Sequence, residues 1–194
     1  MQDTKKTTKE SVVDNFPMTD SIDGSIQSSH IHFLVGNIEQ ENIDKAIRWL
    51  VYENLNKQQK LLTLYINSDG GALTDAFALI DIMRNSYHPI RTIGIGSVMS
   101  AAFLIFACGT KGERFIGQNA SSMCHQFSDE VTGKYHDMKA TMREHDNVNH
   151  RMAVILADAT GLDLKSVKSK LLPTSDVFFT ADEMIKLGIA DHIL

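Results

Sequence analysis

The sequence predicts an α/β fold, a single domain on a parallel sheet, and three observations carry that expectation. Short apolar runs with strand character alternate with segments whose apolar residues recur at helical spacing: Leu61 to Asn67 precedes one helix pattern and Ile90 to Ile95 another. Short glycine-containing turns join them, and repeated strand-helix connections of this kind pack as parallel strands beneath helices. A chain of 194 residues, 43% hydrophobic and 22% charged, fills one core and leaves two domains cramped.

Residues 1-29 are rich in Thr, Ser, Asp and Lys and lack periodicity, so a mobile N-terminal segment is expected there, followed by one domain over 30-194. His30 to Val35 reads as a strand closed by Gly36. From Gln40, a long amphipathic helix carries Ile43, Ala46, Ile47, Leu50, Val51 and Leu55 on its apolar stripe. Its polar face, with Glu41, Asp44, Lys45 and Arg48, reads as solvated. Leu61 to Asn67 is a short buried strand, broken by Ser68-Asp69-Gly70-Gly71 before a helix with Leu73, Ala76, Phe77, Ile80 and Met83 inward. Pro89 opens the next connection. The strand Ile90 to Ile95 is expected to break at Gly96, pass through small residues and become a helix from Ser100 to about Gly109.

Phe115-Ile116 and Ser122 to His125 add strand-like pieces, and Gly133 precedes a long helix. Met138, Met142, His145, Val148, Met152, Ile155 and Leu156 are expected along its inner face. Gly161 ends it, and Leu164, Val167 and Leu171 mark a short helix broken by Pro173. Val177 to Thr180 reads as a short strand. Thr180 with Glu183 forms a capping box for a last helix stopped by Gly188.

Composition narrows the function classes. A net charge of −5 and a pI near 5.9 provide no basic field, and the lysines and arginines are scattered, which argues against nucleic-acid binding. Cys108 and Cys124 both lie in apolar runs, as reduced core thiols do. The longest apolar run, Val98 to Cys108, has 11 residues, short of the roughly 20 a membrane span needs. The N-terminal stretch mixes lysines with acids and has no apolar core, unlike a secretory signal or transit peptide. A cytoplasmic protein without membrane attachment is expected. No His, Cys and Asp cluster has metal-ligand spacing, and neither a metal nor another cofactor is expected.

The most informative stretch is Arg91 to Phe115. It places Ser100 where a strand turns into a helix, at the positive end of the helix dipole, with backbone N–H groups free to face a developing anion. The same position suits an ordinary N-cap, so Ser100 alone decides nothing. A serine hydroxyl acylates only with a base beside it, and the base needs a partner that sets its tautomer. His125 follows 25 positions later at the end of an apolar segment, and Asp176 stands at the mouth of a short strand. Ser97 is a rival nucleophile on the same turn. Asp158, Asp163 and Asp182 rival Asp176, although each reads as a solvated acid at a helix end. His145 and His150 read as ordinary helix residues. Gly70-Gly71, between a strand and a helix like the Ser100 elbow, reads as an oxyanion loop or simply a turn.

These motifs together resemble the Clp protease proteolytic subunit (ClpP) family of serine peptidases, over roughly residues 30-194. The resemblance rests on Gly96-x-x-x-Ser100, on Lys111-Gly112-x-Arg114-Phe115 and on His125-Gln126. It is extended upstream by Leu64 to Gly71 and downstream by Phe178 to Asp191, with Ala181, Glu183, Gly188 and Asp191 in step. It implies a ClpP/crotonase-like spiral of strand-strand-helix units with a long helix after the catalytic histidine. It also implies a Ser100, His125 and Asp176 triad, oxyanion donors from the N–H groups of Gly71 and Ala101, and substrate contacts at Gly70 and Gln126. The implied assembly is a heptameric ring, single or as two stacked rings, of this chain alone or mixed with a paralogue. Such a ring receives unfolded proteins from an AAA+ Clp-type unfoldase, which makes proteolysis ATP-dependent. Residues 1-29 would supply an axial loop, with Val12, Val13 and Phe16-Pro17-Met18 as its apolar candidates.

Three departures from the family's pattern, and one difference in spacing, stand out. Asp69 stands where a proline is usual and is expected to cap the helix that begins near Leu73. Phe127-Ser128-Asp129-Glu130 replaces Pro-Leu-Gly-Gly. Thr174-Ser175 replaces an acid-arginine pair that joins rings, and the segment between His125 and Asp176 is about two residues longer than usual. Two other function classes share parts of this pattern. One is a catalytically silent ring subunit; the other is a crotonase-type acyl-CoA enzyme, which has a two-N–H oxyanion hole but does not need Ser, His and Asp together.

Overall fold

Strict alternation in Leu62–Ser68 (β2) buries Leu62, Leu64, Ile66 and Ser68, and the sheet grows outward from that strand. The computed structural model describes residues 30–56, 58 and 60–194; the expectations for 1-29 fall outside them. Ile31–Val35 (β1) lies parallel on one side of β2 and Ile90–Met99 (β3) on the other. Arg114–Ile116 (β4) and His192–Ile193 (β7) continue the parallel order β1-β2-β3-β4-β7. Ser121–Cys124 (β5) also pairs with β3, and Val177–Phe179 (β6) runs antiparallel to β5. The fold is therefore α/β with a mostly parallel sheet, as the sequence predicts.

Six helices are described: Gln40–Leu55 (α1), Leu73–Arg84 (α2), Ala101–Ala107 (α3), Tyr135–Thr160 (α4), Leu164–Lys170 (α5) and Ala181–Lys186 (α6). Helix α3 is buried at all seven positions and packs on β3, α2 and α4, which places it in the middle of the core. The 26-residue α4 is the long helix expected after His125, and Gly161 ends it in the left-handed conformation. The capping box of Thr180 and Glu183 is formed in full. No helix among the described residues is long and apolar enough to cross a membrane.

Three readings need correction. β3 does not end at Gly96 but runs on to Met99, because the strand bulges there rather than stopping. On α1, Val51 and Leu55 are exposed, and the inner face instead includes Trp49 and Glu53. Tertiary partners turn the helix that way. Glu53 is buried and bonded to Lys60 and to His30 Nδ1 at 3.2 Å. Burial pushes its carboxyl up, but those two partners outweigh burial and hold it below the ordinary glutamate range. On α4, Met142 is exposed and the fully buried stripe starts only at Val148, because the first two turns are largely exposed and His145 is only half-buried, against Phe127.

The other buried charge closes the far edge of the sheet. Arg114, 3% exposed, meets Asp191 through two parallel bonds, Nε to Oδ2 at 2.8 Å and Nη2 to Oδ1 at 2.7 Å. Its Nη1 donates to the carbonyl of Ala159 at 2.9 Å and to that of Ala107 at 3.3 Å, near the C-terminal ends of α4 and α3. Burial opposes ionisation of Asp191, yet the Arg114 guanidinium and the N–H groups of Arg114 and Gly112 hold it below the usual carboxylate range. A folded-state pKa below the unfolded value gives stability that is complete above the unfolded pKa and lost as pH falls through the folded one. Asp191→Asn should therefore cost about 2-4 kcal/mol at pH 7. The gap from wild type should narrow below about pH 4, as read by urea unfolding at a series of pH values.

Candidate active site

Two strand registers bring the predicted residues together. The parallel pairing of Met99 with Met123 lines up the ends of β3 and β5, so Ser100 leaves one strand beside the residues that leave the other. The antiparallel pairing of Cys124 with Val177 then sets the residue after Cys124 opposite the one before Val177: His125 and Asp176. Ser100 Oγ lies 2.7 Å from His125 Nε2, and His125 Nδ1 lies 3.3 Å from Asp176 Oδ1. The second contact is longer than the 2.7–2.9 Å of a well-formed charge-assisted bond. The Asp176 side chain is 57% exposed and that of His125 only 26%.

Ser100 occupies the N-cap position of α3 but makes no capping bond, so the ordinary N-cap reading fails here. Its backbone has φ 52° and ψ −122°, a sparsely populated conformation for a residue with a side chain. Its N–H donates to the Met123 carbonyl at 2.9 Å and its carbonyl accepts from Phe103 at 3.0 Å. Those bonds hold the elbow and leave the hydroxyl to His125.

The glycine loop passes directly against this elbow. A Cβ on Gly70 would lie 2.7 Å from Ser100 Cβ and 2.9 Å from the Met99 carbonyl oxygen, and Gly70 has φ 106°. A Cβ on Gly71 would lie 2.2 Å from the Ile38 carbonyl oxygen. Ile38 pins the loop from outside: its N–H donates to Gly70 and its carbonyl accepts from Ala72, both at 2.8 Å. The Gly70 N–H is taken by Ser68 Oγ at 3.1 Å. The N–H groups of Gly71 and Ala101 have no acceptor among the described residues.

The expectation that Asp69 caps the following helix is overturned. The N-cap of α2 is Ala72, without a side-chain bond, and Asp69 lies three residues too early to reach the orphan N–H groups. Its carboxylate instead accepts a hydrogen bond from Ser97 Oγ. Ser97 thus has an acid partner and no imidazole.

The rival acids are otherwise engaged: Asp158 pairs with Arg84 at 3.3 Å, Asp163 caps α5 through Ser166 N–H at 2.8 Å, and Asp182 lies in the first turn of α6. Cys124, next to His125, is buried, and that burial pushes its thiol up to about 12; burial likewise pushes Cys108 up to about 11. Neither is poised as a nucleophile.

Gln126 donates from Nε2 to the Leu172 carbonyl at 2.9 Å, on the wall of a cleft of about 460 Å3 that also includes Asn149, Ala153 and Thr174. Residues 125 to 134 contain no strand. The departing segment is instead fastened to α4: Phe127 N–H donates to Asn149 Oδ1 at 3.1 Å, its ring meets His145 edge-on at 4.8 Å, and Asp129 pairs with His145 at 3.3 Å. Sequence reasoning gave no role to Ile38, to Asn67, whose Oδ1 accepts the Ser97 N–H at 3.0 Å, or to the bond between Asp69 and Ser97. None carries a local signal, since each acts on a residue distant in sequence.

A serine at a strand-to-helix elbow, an imidazole within hydrogen-bond distance and two unpaired N–H groups beside it form a site of the kind hydrolases use to attack acyl groups. Residues 17–194 match the Clp protease family, and the chain belongs to that family. Membership supports a peptide-hydrolysing function. Because Gly70 has no room for a side chain, Gly70→Ala should lower stability by about 2 kcal/mol through strain and overpacking, measured by denaturant unfolding.

Proposed function

We propose that this chain is the serine endopeptidase core of an ATP-dependent protease, in which an AAA+ Clp-type unfoldase supplies unfolded chains and Ser100, His125 and Asp176 cleave them. The observation that carries the reading is the 2.7 Å approach of Ser100 Oγ to His125 Nε2. As Oγ attacks the substrate carbonyl, Nε2 accepts its proton. Asp176 accepts from Nδ1–H, which keeps Nε2 unprotonated before attack and favours the imidazolium afterwards. The carbonyl oxygen, now an anion, takes the N–H groups of Gly71 and Ala101, and Gly70 and Gln126 line the path of the bound chain. His125 then returns the proton to the leaving amine, and water, activated by the same imidazole, hydrolyses the acyl-enzyme.

Family membership supports a ring assembly with a Clp-type partner. We take the ring to be heptameric, built from this chain or shared with a paralogue. Thr174-Ser175 cannot supply an ionic contact between rings, so stacked pairs should be weak. Sedimentation of the purified protein should show single rings, with double rings dependent on conditions; a monomer at micromolar concentration would refute the assembly.

The chemistry is tested with a fluorophosphonate probe and a peptide substrate. Wild type should be labelled, whereas a silent ring subunit or an acyl-CoA enzyme would not be. Ser100→Ala should lose labelling and on the order of 10⁶ in turnover. Asp176→Asn should lose no more than about 10⁴. Ser97→Ala should still be labelled; labelling retained by Ser100→Ala would sink the assignment.

A further inference from the structure

The strand that carries Ser100 and the loop that carries Gly70 and Gly71 part company just before the site. The backbone ladder between β2 and β3 is regular up to Ile66 opposite Gly94, and resumes only with Ser68 opposite Val98. Ile95, Gly96 and Ser97 therefore stand against the single residue Asn67. A side chain fills the gap: Asn67 Oδ1 accepts the Ser97 N–H at 3.0 Å, and Gly96 passes so close that an added Cβ would lie 2.6 Å from that oxygen. Beyond Ser68 the ladder ends. The loop continues through Asp69 to Gly70, whose missing side chain is what lets it touch Ser100.

On one side Ile38 holds this loop through Gly70 and Ala72. On the side facing β3, the side-chain link beyond the ladder among the described residues is the bond from Ser97 Oγ to Asp69 Oδ1. It lies between the bulge and the glycine pair. Loss of that bond leaves the loop free to shift relative to the elbow, and misplacement by about 1 Å is enough to cost a factor of about 10² in a reaction that depends on pre-set donors.

We propose that Asp69 and Ser97 form a brace that fixes the glycine loop against the Ser100 elbow, making both of them positioning residues for the reaction. The inference rests on the peptidase reading above for its kinetic consequence, but not for its structural one. The brace needs an acceptor at position 69 and a hydroxyl at position 97. It does not need the negative charge, so an asparagine, whose side-chain oxygen also accepts, should serve in place of the aspartate.

The test uses the full chain with four changes: Ser97→Ala, Asp69→Ala, Asp69→Asn and the double Ser97→Ala/Asp69→Ala. Two readouts are taken, peptide turnover and hydrogen exchange at the amides of Gly70 and Ala72, whose hydrogen bonds report whether the loop stays closed. Ser97→Ala and Asp69→Ala should each lower kcat about ten-fold with KM within about two-fold. The double variant should be no worse than either single one, since both remove the same bond. Asp69→Asn should retain at least about half of the turnover. Exchange at Gly70 and Ala72 should quicken in the three alanine variants and stay at the wild-type rate in Asp69→Asn.

Additive losses in the double variant would overturn the brace, as would an Asp69→Asn variant as impaired as Asp69→Ala. A large gain in turnover for Asp69→Asn would overturn it too, because the carboxylate would then be opposing the anion. Unchanged exchange in both single alanine variants would overturn it whatever the activity. If the wild-type chain neither hydrolyses peptides nor takes the probe, the peptidase reading fails, and the exchange arm alone decides the brace.

Discussion

The structure depends on one constraint: β3 must serve two neighbours along the same edge. Thr92 to Gly94 pair with β4, and Ser97 to Met99 pair with β5. A strand that followed one partner throughout could not do this. The bulge at Gly96, with φ 61° and the side chain of Asn67 in place of a ladder bond, lets β3 change partners between those two stretches. From that change follow the level at which Ser100 emerges, the place of β5 that presents His125, and through β5 the place of β6 and Asp176.

Buried charges are bonded away from the site, whereas backbone donors are left unpaired at it. Arg114 is buried with Asp191 and two helix-end carbonyls, and Glu53 with Lys60 and His30. His88, also buried, is satisfied at both ring nitrogens: Nδ1 accepts from Lys60 N–H, and Nε2 donates to the carbonyls of Glu53 and Asn56. Charges and polar groups so enclosed cost stability unless they are bonded, and these are bonded. Around Ser100 the N–H groups of Gly71 and Ala101 are left over, and the serine holds an uncommon backbone conformation. An uncommon backbone conformation beside two unpaired N–H groups, in a fold that bonds its buried charges, is the arrangement that the proposed attack on an acyl group calls for.

The segment after His125 shows how a change in sequence is absorbed. Phe127 to Glu130 forms no strand, yet it is not loose, because Asn149 and His145 on α4 bind Phe127 and Asp129. Helix α4 thereby serves both as core, from Val148 onward, and as a support for the segment next to the imidazole.

The sequence by itself determined the α/β class, the order of the elements up to the last helix, the buried helix after Ser100 and the capping box at Thr180, since these follow from periodicity and turn chemistry within a few residues. It also singled out Ser100, His125 and Asp176 as candidates, from the elbow and from two strand ends. Only the tertiary structure decided that they meet, because the register of β3 with β5 and of β5 with β6 is a property of pairs of strands and leaves no mark on either alone. For the same reason it decided which face of α1 turns inward, where Glu53 found Lys60 and His30. It likewise decided what Asp69 does: the residue looked like a helix cap in sequence, and three-dimensional proximity gave its carboxylate to Ser97, 28 residues away.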